Sequence, residues 1–353
     1  MTKTPAVFAI PGDITTKTGG YIYENRLLHG LRDAGRPVRH LELPASFPDP
    51  DAQDMAAAIA ALVAVPANMP LIIDGLAFGA VETRGLDAVK APICAMIHHP
   101  LALEAGLSAE RSALLSRREA DNLARAAHVV VPSPHTASVL QTDYGVAADR
   151  ISIAAPGFPP ADPVRQEECP PMILSVGILH PRKGHDILLR ALARIVDLDW
   201  RAKIVGARYD HAYADGLDRL NASLGLTGRV TVTGMVDDKA LRERYRAASL
   251  FALATRYEGY GIVLGEALCH GLPIVTCGTG AVPDTVPRGA GLLVSANEPG
   301  AFADALRRML SDSVLRRRSA LVSAKAGRVL PSWADTAAVM DQVLDSLAVQ
   351  PIP

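Results

Sequence analysis

Cysteine is scarce: Cys94, Cys169, Cys269 and Cys277 are the only four among 353 residues. None falls in a C-x-x-C pair or a zinc spacing, which excludes a disulfide scaffold and fits a reducing cytosol. An excess of either charge is also missing. Lys and Arg total 36 against 37 Asp and Glu, a formal charge of −1, whereas a chain that grips nucleic-acid phosphates normally carries a basic surplus. No apolar run approaches the ~18 residues that a membrane span requires. Met1 to Ile14 holds one lysine, a short apolar patch and then Pro11-Gly12-Asp13, which does not read as a secretory leader. Low-complexity tracts and short tandem repeats are lacking too. What remains is an ordinary globular balance, 49% hydrophobic and 21% charged. At about 150 residues per domain, the length predicts two domains.

Short apolar runs alternate with helical patterns along nearly the whole chain. Ala6 to Ile10, Leu71 to Asp74, Ile93 to Ile97 and Val129 to Val131 read as buried strands. Helical stretches, such as Ala109 to Ala127, lie between them. Apolar runs without polar alternation, separated by helices, imply a parallel sheet covered on both faces. Near residue 155 the texture changes. Ala155-Pro156-Gly157-Phe158-Pro159-Pro160-Ala161-Asp162-Pro163 is too rich in proline to continue either element and reads as a linker. A second alternation follows, with strands at Met172 to Val176, Ala202 to Val205, Val230 to Thr233, Leu250 to Ala254 and Pro273 to Thr276. A last helix starts at Ser332-Trp333-Ala334-Asp335. The expected domains are therefore 1–163, 164–331 and a terminal helical segment, 332–353. The fold class is α/β, two Rossmann-like parallel-sheet domains facing one cleft.

Chemistry concentrates in Glu258-Gly259-Tyr260-Gly261-Ile262-Val263-Leu264-Gly265-Glu266. Glu258 follows a strand at its carboxyl end, where open α/β sheets bind ligands. Gly259 and Gly261 expose backbone N–H groups, and a helix starting near Ile262 aims its positive end at the same place. Two carboxylates there suit hydroxyl groups, since an ionised carboxylate only accepts hydrogen bonds. Taken singly, either glutamate reads as an ordinary surface residue. In Ser175-Val176-Gly177-Ile178-Leu179-His180-Pro181-Arg182-Lys183-Gly184-His185-Asp186, a strand runs into a loop with two cations and a helix behind them, an arrangement able to neutralise a diphosphate. A solvated basic turn is the plain alternative. His98-His99-Pro100 ends a strand of the first half; neighbouring positions on an extended chain point opposite ways, so the pair is a poor metal chelate.

The run E-G-Y-G-I-V-L-G-E-A-L-C-H-G-L-P, from Glu258 to Pro273, resembles the E-x7-E region of retaining glycosyltransferases of family 4, which have the GT-B fold. The similarity extends over essentially the whole chain. It implies that Glu258 contacts the transferred sugar, that Glu266 holds the ribose hydroxyls of the nucleotide, and that main-chain groups of Gly259, Tyr260, Gly261, Ile262 and Val263 meet sugar and diphosphate. Lys183 matches the family's phosphate-binding lysine. The usual family arginine is Ile178 here, so Arg182 supplies the second cation if one is needed. The sugar-contacting histidine matches His99 by the Leu-Ala that follows, with His98 a near alternative. Thr18-Gly19-Gly20 is similar to the family's mobile glycine loop, placing Gly20 near diphosphate or acceptor. Val236 matches a main-chain contact to the base. Asp49-Pro50-Asp51 and Asp197-Leu198-Asp199 imitate a metal-binding Asp-x-Asp but lie in a proline-rich loop and at a helix end.

The resemblance implies a cytosolic, retaining, metal-independent hexosyltransferase with no cofactor beyond a nucleotide diphosphate sugar as donor. Transfer would occur on the front face, the donor phosphate helping to take the acceptor proton. The acceptor class stays open among glycans, lipid-linked and small molecules. Arg307-Arg308 and Arg316-Arg317-Arg318 form a basic surface that leaves room for peripheral membrane contact. The rivals are a nucleotide-sugar epimerase on the same architecture and a non-catalytic nucleotide-sugar binder.

Overall fold

The computed structural model describes residues 3–104, 106–164 and 166–349. These form two compact units: one runs to Gly157 and resumes from Pro331, and the other is Phe158–Leu330. Residues 1, 2 and 350–353, at the ends of the expected domains, lie outside the described residues.

The first unit alternates strand and helix: β1 (Ala6–Pro11), α1 (Gly19–Asp33), β2 (Val38–Leu43), α2 (Ala52–Val63), β3 (Leu71–Asp74), α3 (Gly75–Ala80), α4 (Thr83–Leu86), β4 (Ile93–Met96), α5 (Ala109–Leu123), β5 (His128–Val131), α6 (Pro134–Tyr144) and β6 (Ile151–Ile153). All strand pairs are parallel, in the order β2-β1-β3-β4-β5-β6. β1, β3 and β4 are buried along their whole length, which is why they read as unbroken apolar runs. β2 carries exposed Arg39 and Glu42 and half-buried His40, and β6 is an edge strand. Neither has the apolar signature, and the sequence reading passed over both.

The second unit holds β7 (Met172–Val176), α7 (His185–Leu192), β8 (Arg201–Val205), α8 (His211–Ser223), β9 (Val230–Thr233), α9 (Asp238–Ala247), β10 (Leu250–Leu253), α10 (Ile262–Cys269), β11 (Ile274–Cys277), α11 (Val282–Thr285), β12 (Gly291–Val294), α12 (Pro299–Ser311) and α13 (Ser313–Gly327). Its sheet is again all parallel, in the order β12-β11-β10-β7-β8-β9. Chain order therefore reverses between β7 and β10, and the loops leaving these two neighbours diverge to opposite faces. Such a switch point opens a crevice at the carboxyl ends of the strands.

The chain enters the second unit at Gly157/Phe158, six residues before the boundary read from the prolines. Phe158 already stacks on Tyr260, with ring centroids 6.2 Å apart, and the Asp162 N–H donates to the Cys269 carbonyl at 2.9 Å. Proline content marks irregular backbone, not the place where packing partners change. After the second unit, α14 (Trp333–Val349) packs in the first unit against α1. Its start is a reciprocal cap: the Ser332 N–H donates to Asp335 at 2.8 Å and the Asp335 N–H to Ser332 at 3.3 Å. Arg36, 1% exposed, ties α1's end to α14 through Asp341 and Asp345. No helix among the described residues is long and apolar enough to cross a membrane.

Candidate active site

The loops after β7 and β10 flank the switch point of the second unit, so residues 75 apart in sequence become neighbours. Lys183 Nζ lies 2.7 Å from Glu258 Oε1, and Arg182 Nη1 lies 3.8 Å from Glu258 Oε2. Thr255 Oγ1 donates to Glu258 Oε1 at 2.9 Å. Glu258 is 4% exposed. Burial alone would raise its carboxyl, but Lys183, Arg182 and two hydrogen bonds outweigh that and hold it below the ordinary value. The carboxylate is thus ionised at neutral pH and clamped by two cations.

Backbone geometry makes this convergence feasible. Gly184 has φ 64°, and a Cβ there would overlap the Ala254 carbonyl. Gly280, φ 55°, lies against the Glu258 carbonyl oxygen in the same way, and the Ala281 N–H donates to that oxygen at 2.9 Å. Only glycine lets the three loops approach so closely without strain. Behind them, Arg256 grips Asp186 through two contacts of 3.0 and 2.9 Å, and the Tyr213 hydroxyl donates to Asp186 at 2.7 Å. This buttress joins the β10 loop to the first turn of α7. Asp186 closes the basic segment picked out from the sequence, whereas Thr255 and Arg256 escaped it, although their positions just past β10 signalled them.

α10 begins at Ile262 behind Gly261; the Leu264 and Gly265 N–H groups donate to the Gly261 carbonyl at 2.8 and 3.4 Å, and those of Ile262 and Val263 are the ones a helix start leaves without an intrahelical carbonyl. Gly259, Tyr260, Gly261, Ile262 and Val263 therefore form the turn between Glu258 and a positive helix end. Glu266 lies one turn further and accepts a hydrogen bond from Tyr245 at 2.7 Å. Burial raises its carboxyl above the ordinary value, with the Tyr245 bond opposing. Tyr245 is itself 1% exposed and stacks on His270 at 5.0 Å, so the support of Glu266 is rigid. Val236 is half-buried in the loop between β9 and α9, beside exposed Met235.

In the first unit, Gly19 and Gly20 form the first turn of α1 instead of a free loop, with Thr18 at the N-cap. A Cβ on Gly20 would stand 3.5 Å from the ring of His98. His99 instead turns to Glu104, Nε2 to Oε2 3.2 Å. The structure thus brings Gly20 together with His98 and sets His99 apart, the opposite histidine to the one matched by the Leu-Ala that follows. Of the two Asp-x-Asp imitations, Asp49 pairs with Arg111 and Asp197 with Arg307, at 2.5 and 2.6 Å.

Residues 170–312 match the family model of Glycosyl transferases group 1. That stretch contains Arg182, Lys183, Glu258 and Glu266. The D-inositol 3-phosphate glycosyltransferase of Nocardia farcinica is 34% identical over 235 residues, 61% of this chain and 51% of that protein. The enzyme of the same name from Corynebacterium glutamicum is 31% identical over 224 residues, 58% of this chain and 53% of that one. The chain thus spans about half the length of the curated relatives it matches. Among solved structures, sucrose-phosphate synthase from Thermosynechococcus elongatus superposes with a TM-score of 0.82 at 21% identity, covering 98% of this chain and 99% of that one. Anabaena HepE in complex with UDP and glucose gives 0.76 at 17% identity, covering 97% and 100%. These likenesses show the fold: it is the two-domain α/β GT-B architecture expected from the sequence.

Proposed function

We propose that the chain is a glycosyltransferase that moves a sugar from a nucleotide diphosphate sugar to an acceptor hydroxyl, with retention of configuration. The Lys183–Glu258 pair at the switch point, 2.7 Å long and nearly buried, is the observation that carries this reading. A cation and a carboxylate meet there beside a helix N-terminus, the combination a diphosphate joined to a polyhydroxylated sugar demands. The group 1 match across the same residues supports it.

In this reading Lys183 and Arg182 take the negative charge of the diphosphate together with the first N–H groups of α10. Glu258 accepts from sugar hydroxyls, and Glu266 accepts from the ribose. The bond from the anomeric carbon to the phosphate oxygen breaks, the acceptor oxygen bonds on the same face, and its proton passes to the departing phosphate. The protein contributes placement and stabilisation of the leaving charge. His98 or His99 donates to a sugar hydroxyl, and Gly20 and Val236 contribute through their backbone. Two fixed cations and a helix end replace a metal at the diphosphate. HepE was solved with UDP and glucose, so uridine diphosphate sugars are the first to assay.

The test is a transfer assay on the full chain with a panel of uridine and guanosine diphosphate sugars, scored by diphosphate release and anomeric configuration of the product. Release that needs an acceptor, with an α-configured product from an α-configured donor, is expected. Interconversion of nucleotide sugars without acceptor would overturn the reading in favour of an epimerase.

A further inference from the structure

Three side chains converge in the first unit, one of them His98, the alternative to His99 as the sugar-contacting histidine. Glu24 lies on α1, Asp74 ends β3, and His98 stands two residues past β4. The strand order β2-β1-β3-β4 puts this unit's own switch point between β1 and β3, so the three meet at the carboxyl ends of the sheet. Their ligand atoms all lie within 4.8 Å of one another. Glu24 and Asp74 are 1% and 3% exposed, while the His98 side chain retains 22%.

Two buried carboxyls side by side resist ionising together. Burial raises Glu24 to about 7 and pushes Asp74 well above the ordinary value, the charge of Glu24 adding to the effect. Glu24 Oε1 and His98 Nε2 face each other at 3.4 Å, and neither has a hydrogen-bonding partner among the described residues. A proton shared between the carboxyls would leave those two atoms as they are. A cation between them would satisfy both. The edge of a tetrahedron with bonds of about 2.1 Å is about 3.4 Å, the separation expected of imidazole nitrogen and carboxylate oxygen on zinc.

We propose that Glu24, Asp74 and His98 bind a divalent transition cation, zinc by their donor set and spacing, with the fourth position open on the exposed side of His98. Closing the set takes shifts of about 1.4 Å or less. Asp74 is already oriented, since its Oδ1 accepts from the Leu76 N–H at 2.9 Å and the Ala77 N–H at 3.4 Å. The Tyr23 ring meets His98 edge-on at 5.0 Å, and its hydroxyl is anchored on the Ala154 carbonyl at 2.8 Å. Burial selects the occupant: Glu24 and Asp74 expose too little surface to meet a sugar, whereas an ion needs only the atoms already present. The bound ion ties the glycine-led first turns of α1 to the ends of β3 and β4. His99 stays out of the set, as expected of neighbouring positions on an extended strand end.

With His98 on the ion, His99 is the histidine left for the sugar; the proposal does not rest on the donor-site reading, and its test involves no nucleotide. Full-length protein, dialysed against chelator and then chelator-free buffer, is titrated with zinc chloride by calorimetry and melted with and without the ion. One zinc per chain and a raised melting temperature are expected. Glu24→Gln should abolish both, with the far-ultraviolet circular dichroism of the parent. His98→Gln, altering a partly exposed side chain, should do the same and carries the comparison if Glu24→Gln does not fold. Absence of stoichiometric binding by the parent, or parental affinity in the folded variants, overturns the proposal.

Discussion

Replacing Lys183 by alanine removes the ammonium that Glu258 holds at 2.7 Å, and the donor-site reading makes this the most discriminating perturbation. A charge-assisted contact to phosphate is worth roughly 1.5–3 kcal/mol. At about 1.4 kcal/mol per factor of ten, nucleoside diphosphate should bind about 10- to 150-fold more weakly to Lys183→Ala. The bare nucleoside, which offers no phosphate, should bind nearly as before. The ion pair adds a second, opposite expectation. Glu258 competes with phosphate for the same ammonium, so Glu258→Gln frees Lys183, and nucleoside diphosphate should bind at least as tightly as to the parent. Transfer by that variant should nonetheless fall, because its amide has lost the charge and one acceptor offered to the sugar. Stability must be followed in parallel. In Lys183→Ala the buried carboxylate keeps Arg182 at 3.8 Å and Thr255 at 2.9 Å among the described residues, and breaking a buried pair costs about 3–5 kcal/mol. Calorimetry with nucleoside and nucleoside diphosphate on folded variants measures the affinities. Equal losses for both ligands in Lys183→Ala, or weakened diphosphate binding in Glu258→Gln, would refute the reasoning.

Two further outcomes follow from buried groups of the second unit. Glu266→Gln should weaken nucleoside and nucleoside diphosphate alike, by about tenfold for one contact of ~1.5 kcal/mol to a charged acceptor; a loss confined to the diphosphate would reassign Glu266. His185 is fully buried with Nε2 3.3 Å from the Gly177 carbonyl, and burial chiefly depresses it to about 4. The unfolded chain then binds the proton more readily, so stability is full above about pH 6.5 and falls by at most about 3 kcal/mol as pH drops to about 4. His185→Gln should flatten that limb in urea titrations between those pH values, and superimposable slopes would exclude His185 as its source.

Sequence alone determined the fold class, because β1, β3, β4, β7, β10 and β11 are buried along their length and their apolar runs carry the signal without help from partners. It also singled out which second-half segments are candidates for chemistry, since Lys183 and Glu258 each follow a strand's carboxyl end in a pattern a local window contains. The edge strand β9 was legible, but β2, β6 and β12 were not, because most of their positions are partly or fully exposed and lack an apolar run. Only the tertiary structure decided that Lys183 and Glu258 are each other's partners, because the order β7-β10 in the sheet, and not distance along the chain, sets their 2.7 Å. It alone set His98 against Gly20 and turned His99 to Glu104, a choice between adjacent residues that depends on which way a strand end twists into its neighbours. The meeting of Glu24, Asp74 and His98 has no trace in any single stretch of sequence. Three elements contribute one side chain each, and their common property, burial of titratable groups at a switch point, exists only once the sheet has formed.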